Sequence, residues 1–336
     1  MALMKDIAVK CGVSVATVSK ALNNQADVGE AMKERIREVA KEMGYFPNSA
    51  ARALKTNRTN NIGVLFVDGA HSGLTHDYFA HVLESFKVTA ESRGYDMTFI
   101  NHNFGDNQMS YYEHCRYRGV DGVVIACVEF DNPQILELIN SEIPVVTIDH
   151  IFNNRTAVVS DNASGMKDLT EYVIRMGHKK IAYIHGEDSA VTRERMVSFY
   201  RTMEEYGLEV PDEYVRKGVY LNTKVSAEQT LELLELPAPP SCILYCDDLA
   251  CIGGINAINK KGLKIAEDIS VAGYDGSYLA EVLRPKLTTL KQDTAVIGGK
   301  AAEQLIELIE RPKTTLVERV VVKGTLLEGS SVKNLN

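Results

Sequence analysis

Apolar positions recur at helical spacing in three short stretches near the start of the chain. The predicted helices cover residues 5–11, 15–23 and 30–43. Ser14 precedes the second helix, where its hydroxyl can accept a hydrogen bond from a first-turn amide. Gly44 follows the third helix, at the position where glycine commonly ends a helix. The pattern predicts a three-helix unit, followed at residues 48–57 by a short helical segment with little to bury.

From residue 62 onward, continuous apolar runs alternate with amphipathic stretches. The predicted strands cover residues 62–67, 96–101, 122–127, 144–148, 180–185, 215–220, 241–245 and 269–274. Strands that are apolar throughout are typical of parallel sheets covered by helices on both faces. The alternation restarts after Asp161, which predicts two successive doubly wound lobes. Ligands of such folds bind beyond the carboxyl ends of the strands, so we expect a cleft between the lobes.

The charge of the chain is unevenly distributed. The 336 residues carry a formal net charge of −8, which by itself argues against binding to nucleic acid. Residues 1–60, however, hold ten Lys/Arg and six Asp/Glu, and the remainder is strongly acidic. A basic first segment on an acidic body favours a nucleic-acid module joined to a second function. The alternative is a chance imbalance in a small domain.

The amino-acid composition narrows the class of protein further. Hydrophobic residues make up 45% and charged residues 24% of the chain, as in ordinary globular proteins. No apolar run reaches 18 residues and the start lacks an apolar signal core, so we expect a cytoplasmic protein without a membrane span. The six cysteines form no CxxC pair, and His71, His76 and His81 share no helix or strand face. We therefore predict buried reduced thiols, no metal site and no cofactor.

Short motifs follow one another in a fixed order along nearly the whole chain. In the first sixty residues they are Lys5-Asp6-Ile7-Ala8, Gly12-Val13-Ser14, Thr17-Val18-Ser19, Gly44-Tyr45-Phe46-Pro47-Asn48 and Ala51-Arg52-Ala53-Leu54. Later they are Ile62-Gly63-Val64, Val120-Asp121-Gly122, Asp161-Asn162, Gly177-His178-Lys179-Lys180-Ile181, Gly273-Tyr274-Asp275 and Gln292-Asp293. Through these motifs the chain resembles the LacI/GalR family of bacterial transcription regulators.

The resemblance turns the predicted elements into a domain plan. It implies an all-α helix-turn-helix head at residues 1–46 and a hinge helix with linker at 47–60. Residues 61–336 then form an α/β effector-binding and dimerisation body of two doubly wound parallel-sheet lobes, similar to periplasmic binding proteins. The N-lobe is expected at about 61–160 plus 291–322, and the C-lobe at about 161–290 plus 323–336.

The second helix of the head is expected to read DNA in the major groove. Val15 and Ala16, at its start, can contact only thymine methyls or backbone, and Lys20 can donate to guanine. The other residues expected to bind DNA, mostly through phosphates, are Thr17, Ser19, Asn23, Tyr45, Asn48 and Arg52. Val18 is predicted to pack in the core. The alternative for Val15 is also core packing.

The hinge segment supplies a second predicted contact. By resemblance, paired hinge helices of a dimer press Leu54 into the minor groove, where an apolar wedge unstacks a base step and bends the DNA. The alternative is that Leu54 packs back on the body. One head makes too few contacts for a specific site, so a homodimer on palindromic operator DNA is implied. A tetramer is also possible.

The resemblance places the effector contacts in the cleft. They are Tyr78, Phe79, Asp149, Arg195, Tyr220, Asp247 and Asp275. Carboxylates that accept hydroxyl hydrogens, together with aromatic rings, suit a sugar. The alternative for Arg195 and Asp275 is a cleft salt bridge. Asp161 and Asp293 are expected either to cap helices or to form pairs near the lobe crossovers. The loop at residues 68–77, with His71, Ser72 and Asp77, is either an extra ligand contact or a surface loop.

The predicted function is a sequence-specific DNA-binding repressor controlled by a small ligand, expected to be a carbohydrate. The alternative in the same class is a purine-type or phosphoprotein-linked co-repressed regulator, which the Tyr78-Phe79 pair keeps open. A sugar-binding transport protein would need a signal peptide and no basic head. An enzyme is not predicted, because no nucleophile elbow, phosphate loop or metal cluster occurs in the sequence.

Overall fold

The computed structural model describes residues 2–46, 53, 58–67, 73–104 and 107–336. The chain divides into two compact units, Met1–Thr59 and Asn60–Asn336, which we call the head and the body. The predicted DNA contacts Asn48, Arg52 and Leu54, and the loop residues His71 and Ser72, lie outside the described residues.

Three helices build the head: α1 Met4–Cys11, α2 Val15–Leu22 and α3 Glu30–Glu42. Ser14 caps α2 as predicted, because the Thr17 amide donates to Ser14 Oγ at 3.0 Å. Gly44 has a φ of 60°, which lets the Tyr45 amide donate back to the Ala40 carbonyl at 2.9 Å. The head core consists of Ile7, Ala8, Cys11, Val18, Ala21, Val28, Ile36 and Ala40. Val18 is fully buried, as predicted.

The body contains fourteen described strands and nine described helices longer than four residues. Its strands are β1 Asn61–Phe66, β2 Asp96–Phe99, β3 Asn103–Phe104, β4 Asn107–Gln108, β5 Gly122–Ala126, β6 Val145–Ile148, β7 Thr156–Ser160, β8 Ile181–His185, β9 Val215–Lys217, β10 Cys242–Tyr245, β11 Ser270–Asp275, β12 Thr288–Lys291, β13 Arg319–Val322 and β14 Thr325–Leu327. Its helices are α4 Asp77–Ser92, α5 Tyr111–Arg118, α6 Pro133–Ile139, α7 Asn162–Arg175, α8 Ala190–Glu205, α9 Thr223–Leu234, α10 Asp248–Lys260, α11 Tyr278–Val282 and α12 Thr294–Glu310.

The N-lobe is a six-stranded parallel sheet in the order β13-β7-β6-β5-β1-β2. Side chains of α4 and α12 cover one face, and those of α5 and α6 cover the other. The helices α4 and α12 pack closely at Gly298, where an added Cβ would lie 2.1 Å from the Val82 carbonyl oxygen. Both faces of the central strands are therefore dry, which explains their continuous apolar runs.

The C-lobe sheet has the order β14-β12-β11-β10-β8-β9. Its strands are parallel except for the edge strand β14, which runs antiparallel to β12. Helices α7 and α8 cover one face, whereas α9 and α10 cover the other. The chain passes between the lobes three times: after Ser160, after Lys291 and after Val322. No helix in the described part of the chain is long and apolar enough to cross a membrane.

Six strands were not among the predicted ones. Four of them, β7, β12, β13 and β14, have three to five residues each, and the other two, β3 and β4, have two residues each. The strand β7 follows β6 through a short connection without a helix, so a search for alternating strands and helices does not find it. The predicted strand at 215–220 ends at Lys217, which places Tyr220 in the following turn rather than at a strand end.

Candidate DNA-binding surface and ligand site

The exposed face of α2 carries most of the predicted DNA contacts in the head. Val15 is 46% exposed, so it does not pack in the core, and Ala16, Lys20 and Asn23 are exposed as well. The partly exposed predicted contacts are Thr17, Ser19 and Tyr45. This face therefore combines apolar side chains at the start of α2, hydroxyl groups, and the ammonium group of Lys20 in the last turn.

Lys20 is held by a neighbour in the same unit. Its Nζ forms an ion pair with Asp27, and both side chains are about half exposed, at 46% and 53%. This hydrogen bond from Lys20 lowers the pKa of the Asp27 carboxyl. The Asp27 carboxylate therefore competes with any other acceptor for the ammonium group of Lys20.

Arg195 is the buried cation of the C-lobe. It lies in the second turn of α8, is 2% exposed, and its guanidinium carbon lies 3.5 Å from the centroid of the Tyr274 ring. Its Nε donates to Asn162 Oδ1 at 2.8 Å, and Nη1 donates to the Cys246 carbonyl at 3.0 Å. These partners fix the guanidinium plane, and the fork of five donors is only partly used.

Asp275 ends β11 with a φ of 96°, which is uncommon for a residue with a side chain. Gln292 Nε2 donates to Asp275 Oδ1 at 2.7 Å. Burial raises the pKa of Asp275 to about 8, and the nearby Arg195 opposes this rise. Burial therefore favours the neutral carboxyl group, and Arg195 favours the carboxylate.

The N-lobe contributes a second acidic group. Tyr78 Oη donates to Asp149 Oδ2 at 2.7 Å, and the Ser160 amide donates to Asp149 Oδ1 at 2.9 Å. Burial and the negative charge of Asp149 raise the pKa of Tyr78 well above its usual value. Phe79 contacts the Tyr78 ring edge-to-face and belongs to the N-lobe core.

A cavity of about 280 Å³ is lined by residues of both lobes. Among the predicted contacts, Tyr78 from α4 and Asp275 from β11 line it. The other lining residues are Asp77, His81, Gly276, Ser277, Tyr278, Glu281, Lys291, Gln292 and Thr294. The cavity therefore draws on both lobes and on the crossover that follows β12.

Tyr220 and Asp247 have partners within the C-lobe. Tyr220 Oη and Thr192 Oγ1 are hydrogen bonded at 2.8 Å. Asp247 is 1% exposed and caps α10, because its Oδ1 accepts from the Ala250 amide at 2.7 Å and its Oδ2 from the Leu221 amide at 2.9 Å. These hydrogen bonds account for the positions of both side chains. That Tyr220 and Asp247 contact a ligand stays a prediction.

Two further acidic residues act as predicted at the crossovers. Asp161 Oδ1 accepts from the Ser164 amide at the start of α7, and Asp293 Oδ1 accepts from the Val296 amide at the start of α12, each at 3.0 Å. Sequence reasoning did not assign a role to Gln292 or Asn162. Each stands beside one of these caps in a family motif, which is the signal that could have identified them.

The geometry defines a class of protein: a helix-turn-helix head in one chain with a two-lobed body that holds a polar site between its lobes. Two family models match this chain. "Bacterial regulatory proteins, lacI family" matches residues 3–48, and "Periplasmic binding proteins and sugar binding domain of LacI family" matches residues 59–325. The protein belongs to the LacI family of DNA-binding transcriptional regulators.

Individual relatives agree with this assignment. The chain is 31% identical to the probable HTH-type transcriptional repressor ExuR of Bacillus subtilis, over 100% of this chain and 99% of that one. It is 30% identical to the HTH-type transcriptional repressor PurR of Haemophilus influenzae, over the full length of both.

Solved structures give the same fold. A complex of the transcriptional regulator CelR with cellobiose matches with a TM-score of 0.71 at 25% identity, over 98% of this chain and 100% of that one. The lac repressor dimer bound to operator and an anti-inducer matches with a TM-score of 0.81 at 22% identity, over 99% of both chains.

Proposed function

We propose that the protein is a homodimeric repressor that binds a palindromic operator and responds to a carbohydrate held between its lobes. The observation that carries the proposal is the meeting of Tyr78 and Asp275 from opposite lobes in one polar cavity. A sugar presents hydroxyls to such carboxylates and a ring face to the aromatic groups. A ligand that binds the closed lobes more tightly than the open ones shifts the dimer between DNA-binding states. Because the operator is chromosomal, we place the protein in the cytoplasm.

The exposed side chains of α2 support the DNA-binding part of the proposal. In a dimer, two such helices would enter successive major grooves, with Val15, Ala16 and Lys20 at the base edges. The minor-groove wedge at Leu54 belongs to the same proposal. We expect Leu54→Ala to weaken operator binding without unfolding the head or the body, and an unchanged operator affinity would remove the wedge.

Selection from a random duplex library tests the DNA-binding part. The full-length protein is expected to enrich a palindromic sequence, and its logarithmic affinity is expected to fall linearly with logarithmic salt concentration. A 22-base duplex with one scrambled half-site is the matched control, and we expect it to bind far more weakly. Enrichment of no palindrome, or binding that salt does not change, would contradict the proposal.

A thermal-shift screen tests the ligand part. A ligand at 100 times its Kd stabilises the native state by about 2.7 kcal/mol, which is easily measured. Hits are then added to the operator complex, where a carbohydrate is expected to change the affinity. A carbohydrate that stabilises the body without changing operator affinity would show that the cavity is not a control site.

A purine base is the second candidate ligand. The adjacent rings of Tyr78 and Phe79, whose centroids are 4.8 Å apart, favour it. The screen therefore includes hypoxanthine and guanine beside the sugars. Stabilisation by a purine alone would replace the carbohydrate in the proposal and leave the DNA-binding part unchanged.

A further inference from the structure

Leu316 is the most exposed large apolar side chain in the described part of the body, at 74%. It lies in the connection between α12 and β13, which is anchored on both sides of the residue. The Thr315 hydroxyl donates to the Glu307 carbonyl of α12 at 3.0 Å. The Ala157 amide of β7 donates to the Glu318 carbonyl at 2.9 Å. The exposed isobutyl group is therefore held in place by the fold.

A pocket of about 150 Å³ opens beside this residue. Val317, which follows Leu316 and is 55% exposed, forms part of its wall. On one side of the pocket, the Arg155 guanidinium fixes the rim, because its Nε donates to the Ile139 carbonyl at 2.6 Å. A cavity of about 150 Å³ can hold a group as large as benzene, so an isobutyl group fits. The other lining residues are Glu142, Pro144, Val145, Asn154, Thr156, Leu308 and Pro312.

We call Leu316, this pocket and the connection at residues 311–318 the β13 patch. The patch lies where β6, β7 and β13 begin, because its residues directly precede or start these strands. The ligand cavity lies beyond the carboxyl ends of strands, and none of the described residues that line it also lines the pocket. The β13 patch is therefore separate from the candidate ligand site.

The patch exposes one charge of each sign. Lys313 is exposed and forms no ion pair with any described residue. Glu318 is exposed as well, and Gln304 Nε2 donates to it at 3.3 Å, but among the described residues it has no cationic partner. An acidic partner would be repelled by Glu318 and a basic partner by Lys313. A second copy of this chain, in contrast, supplies the opposite charge for both.

The β13 patch also carries both halves of an apolar contact. Leu316 protrudes, and the pocket beside it is empty of other side chains and lined in part by Pro144, Val145 and Leu308. A contact between two copies about a twofold axis uses the same surface on both, so one surface must contain the protruding group and its recess. An axis near residues 315 and 316 would also bring Lys313 of each copy beside Glu318 of the other.

We infer that the β13 patch joins two homodimers into a tetramer. Each Leu316 inserts into the pocket of the facing copy, and each Lys313 pairs with the facing Glu318. This contact is additional to the interface of the proposed homodimer. The tetramer carries four heads, so one assembly holds two operators at once. The inference extends the proposed function, but the contact itself requires neither DNA nor ligand.

Sedimentation equilibrium of the full-length protein without DNA tests the contact. Between about 1 and 100 µM, dimers and tetramers are expected in reversible equilibrium. Leu316→Asp places a charge in an apolar pocket, so the dissociation constant of the tetramer is expected to rise at least about 30-fold. Leu335→Asp is the matched control, the same change at a leucine of the C-lobe that is 47% exposed, and should stay within about twofold.

Three results would overturn the inference. The first is a parent chain that sediments as a dimer at every concentration, and the second is a tetramer that Leu316→Asp leaves intact. The third is a Leu316→Asp chain that sediments as a monomer, because the patch would then form the homodimer itself. A failure of this kind is distinct from a failure of operator or ligand binding, since neither is present.

A charge exchange tests the twofold arrangement. Lys313→Glu and Glu318→Lys each replace two attractive contacts by two repulsive ones, so each is expected to weaken the tetramer about tenfold. The double variant exchanges the charges and is expected to restore the parent dissociation constant within about threefold. A double variant as weak as the single ones would overturn this arrangement. Circular dichroism confirms that each variant is folded.

Discussion

Asp27→Asn is expected to strengthen DNA binding, although it changes no residue of α2. Lys20 forms an ion pair with Asp27, and this carboxylate competes with DNA for the ammonium group. Asparagine keeps the shape of the side chain but loses the charge that holds the ammonium group. Lys20 should therefore be unpaired from residue 27 in the DNA-free variant. Binding to DNA would then no longer include the free energy of breaking this ion pair.

The expected size follows from the exposure of the pair. Both side chains are about half exposed, at 46% and 53%, so water screens their attraction. Opening such a pair costs a factor of about two to five in an equilibrium constant. A dimer carries the pair twice, which gives an increase in operator affinity of roughly four- to 25-fold. If each released lysine neutralises one more phosphate, the salt slope steepens by ~1.8 per dimer.

Glu42→Gln is the matched control for the change in net charge. It also removes one carboxylate from the head and also breaks an exposed ion pair, here with Lys10 at 2.8 Å. Lys10 is not a predicted DNA contact. Fluorescence anisotropy with the selected operator, at four salt concentrations, compares the two variants with the parent chain. Equal gains in both variants would show that only the net charge of the head matters and would refute a direct role for Lys20.

Three further predictions concern the body. Gly254→Ala places a Cβ 2.0 Å from Tyr245 Oη, so Tm should fall by roughly 2–10 °C in calorimetry, and an unchanged Tm would contradict the close packing. Arg195→Met loses two buried hydrogen bonds and its ring contact, so the free energy of unfolding in urea should fall by about 2–3 kcal/mol, and the response of operator binding to ligand should disappear. Burial raises the pKa of Asp275 to about 8 and that of Asp248 to about 7, so the folded state binds more protons than the unfolded chain at neutral pH. Stability should therefore decrease as pH rises from about 5 to 8, and Asp275→Asn should flatten this decrease.

Local signals predicted the head well because each acts within a few residues. Ser14 caps α2 and Gly44 ends α3 through bonds to their own neighbours, and Val18 is buried by the spacing of α2 itself. In the body, long helices and continuous apolar runs predicted the two lobes. The strand β13 could not be predicted in this way, because it is short and pairs with β7, far away in sequence.

Contacts between residues distant in sequence also limited the prediction of the candidate site. Arg195 and Asp275 were assigned through the family resemblance, but their surroundings depend on pairs such as Arg195 with Asn162 and Asp275 with Gln292. These pairs join residues 33 and 17 positions apart, on elements that meet only after the lobes form. Spacing along the chain carries no information about such contacts, so the bond between Gln292 and Asp275 became apparent only in the structure.

The three passages between the lobes also bear on how the protein is made. The N-lobe begins at β1, yet its edge strand β13 and the helix α12 come from the last fifth of the chain. Ile297, Ala301 and Leu305 of α12 fill the core over α4, so a nascent chain that stops before residue 294 leaves that apolar face open. The C-lobe sheet lacks only β14 at the same stage. Synthesis must therefore pass residue 322 before the first lobe to be translated can close. A chain truncated before residue 294 would be a substrate for chaperones and proteases rather than a partly active regulator.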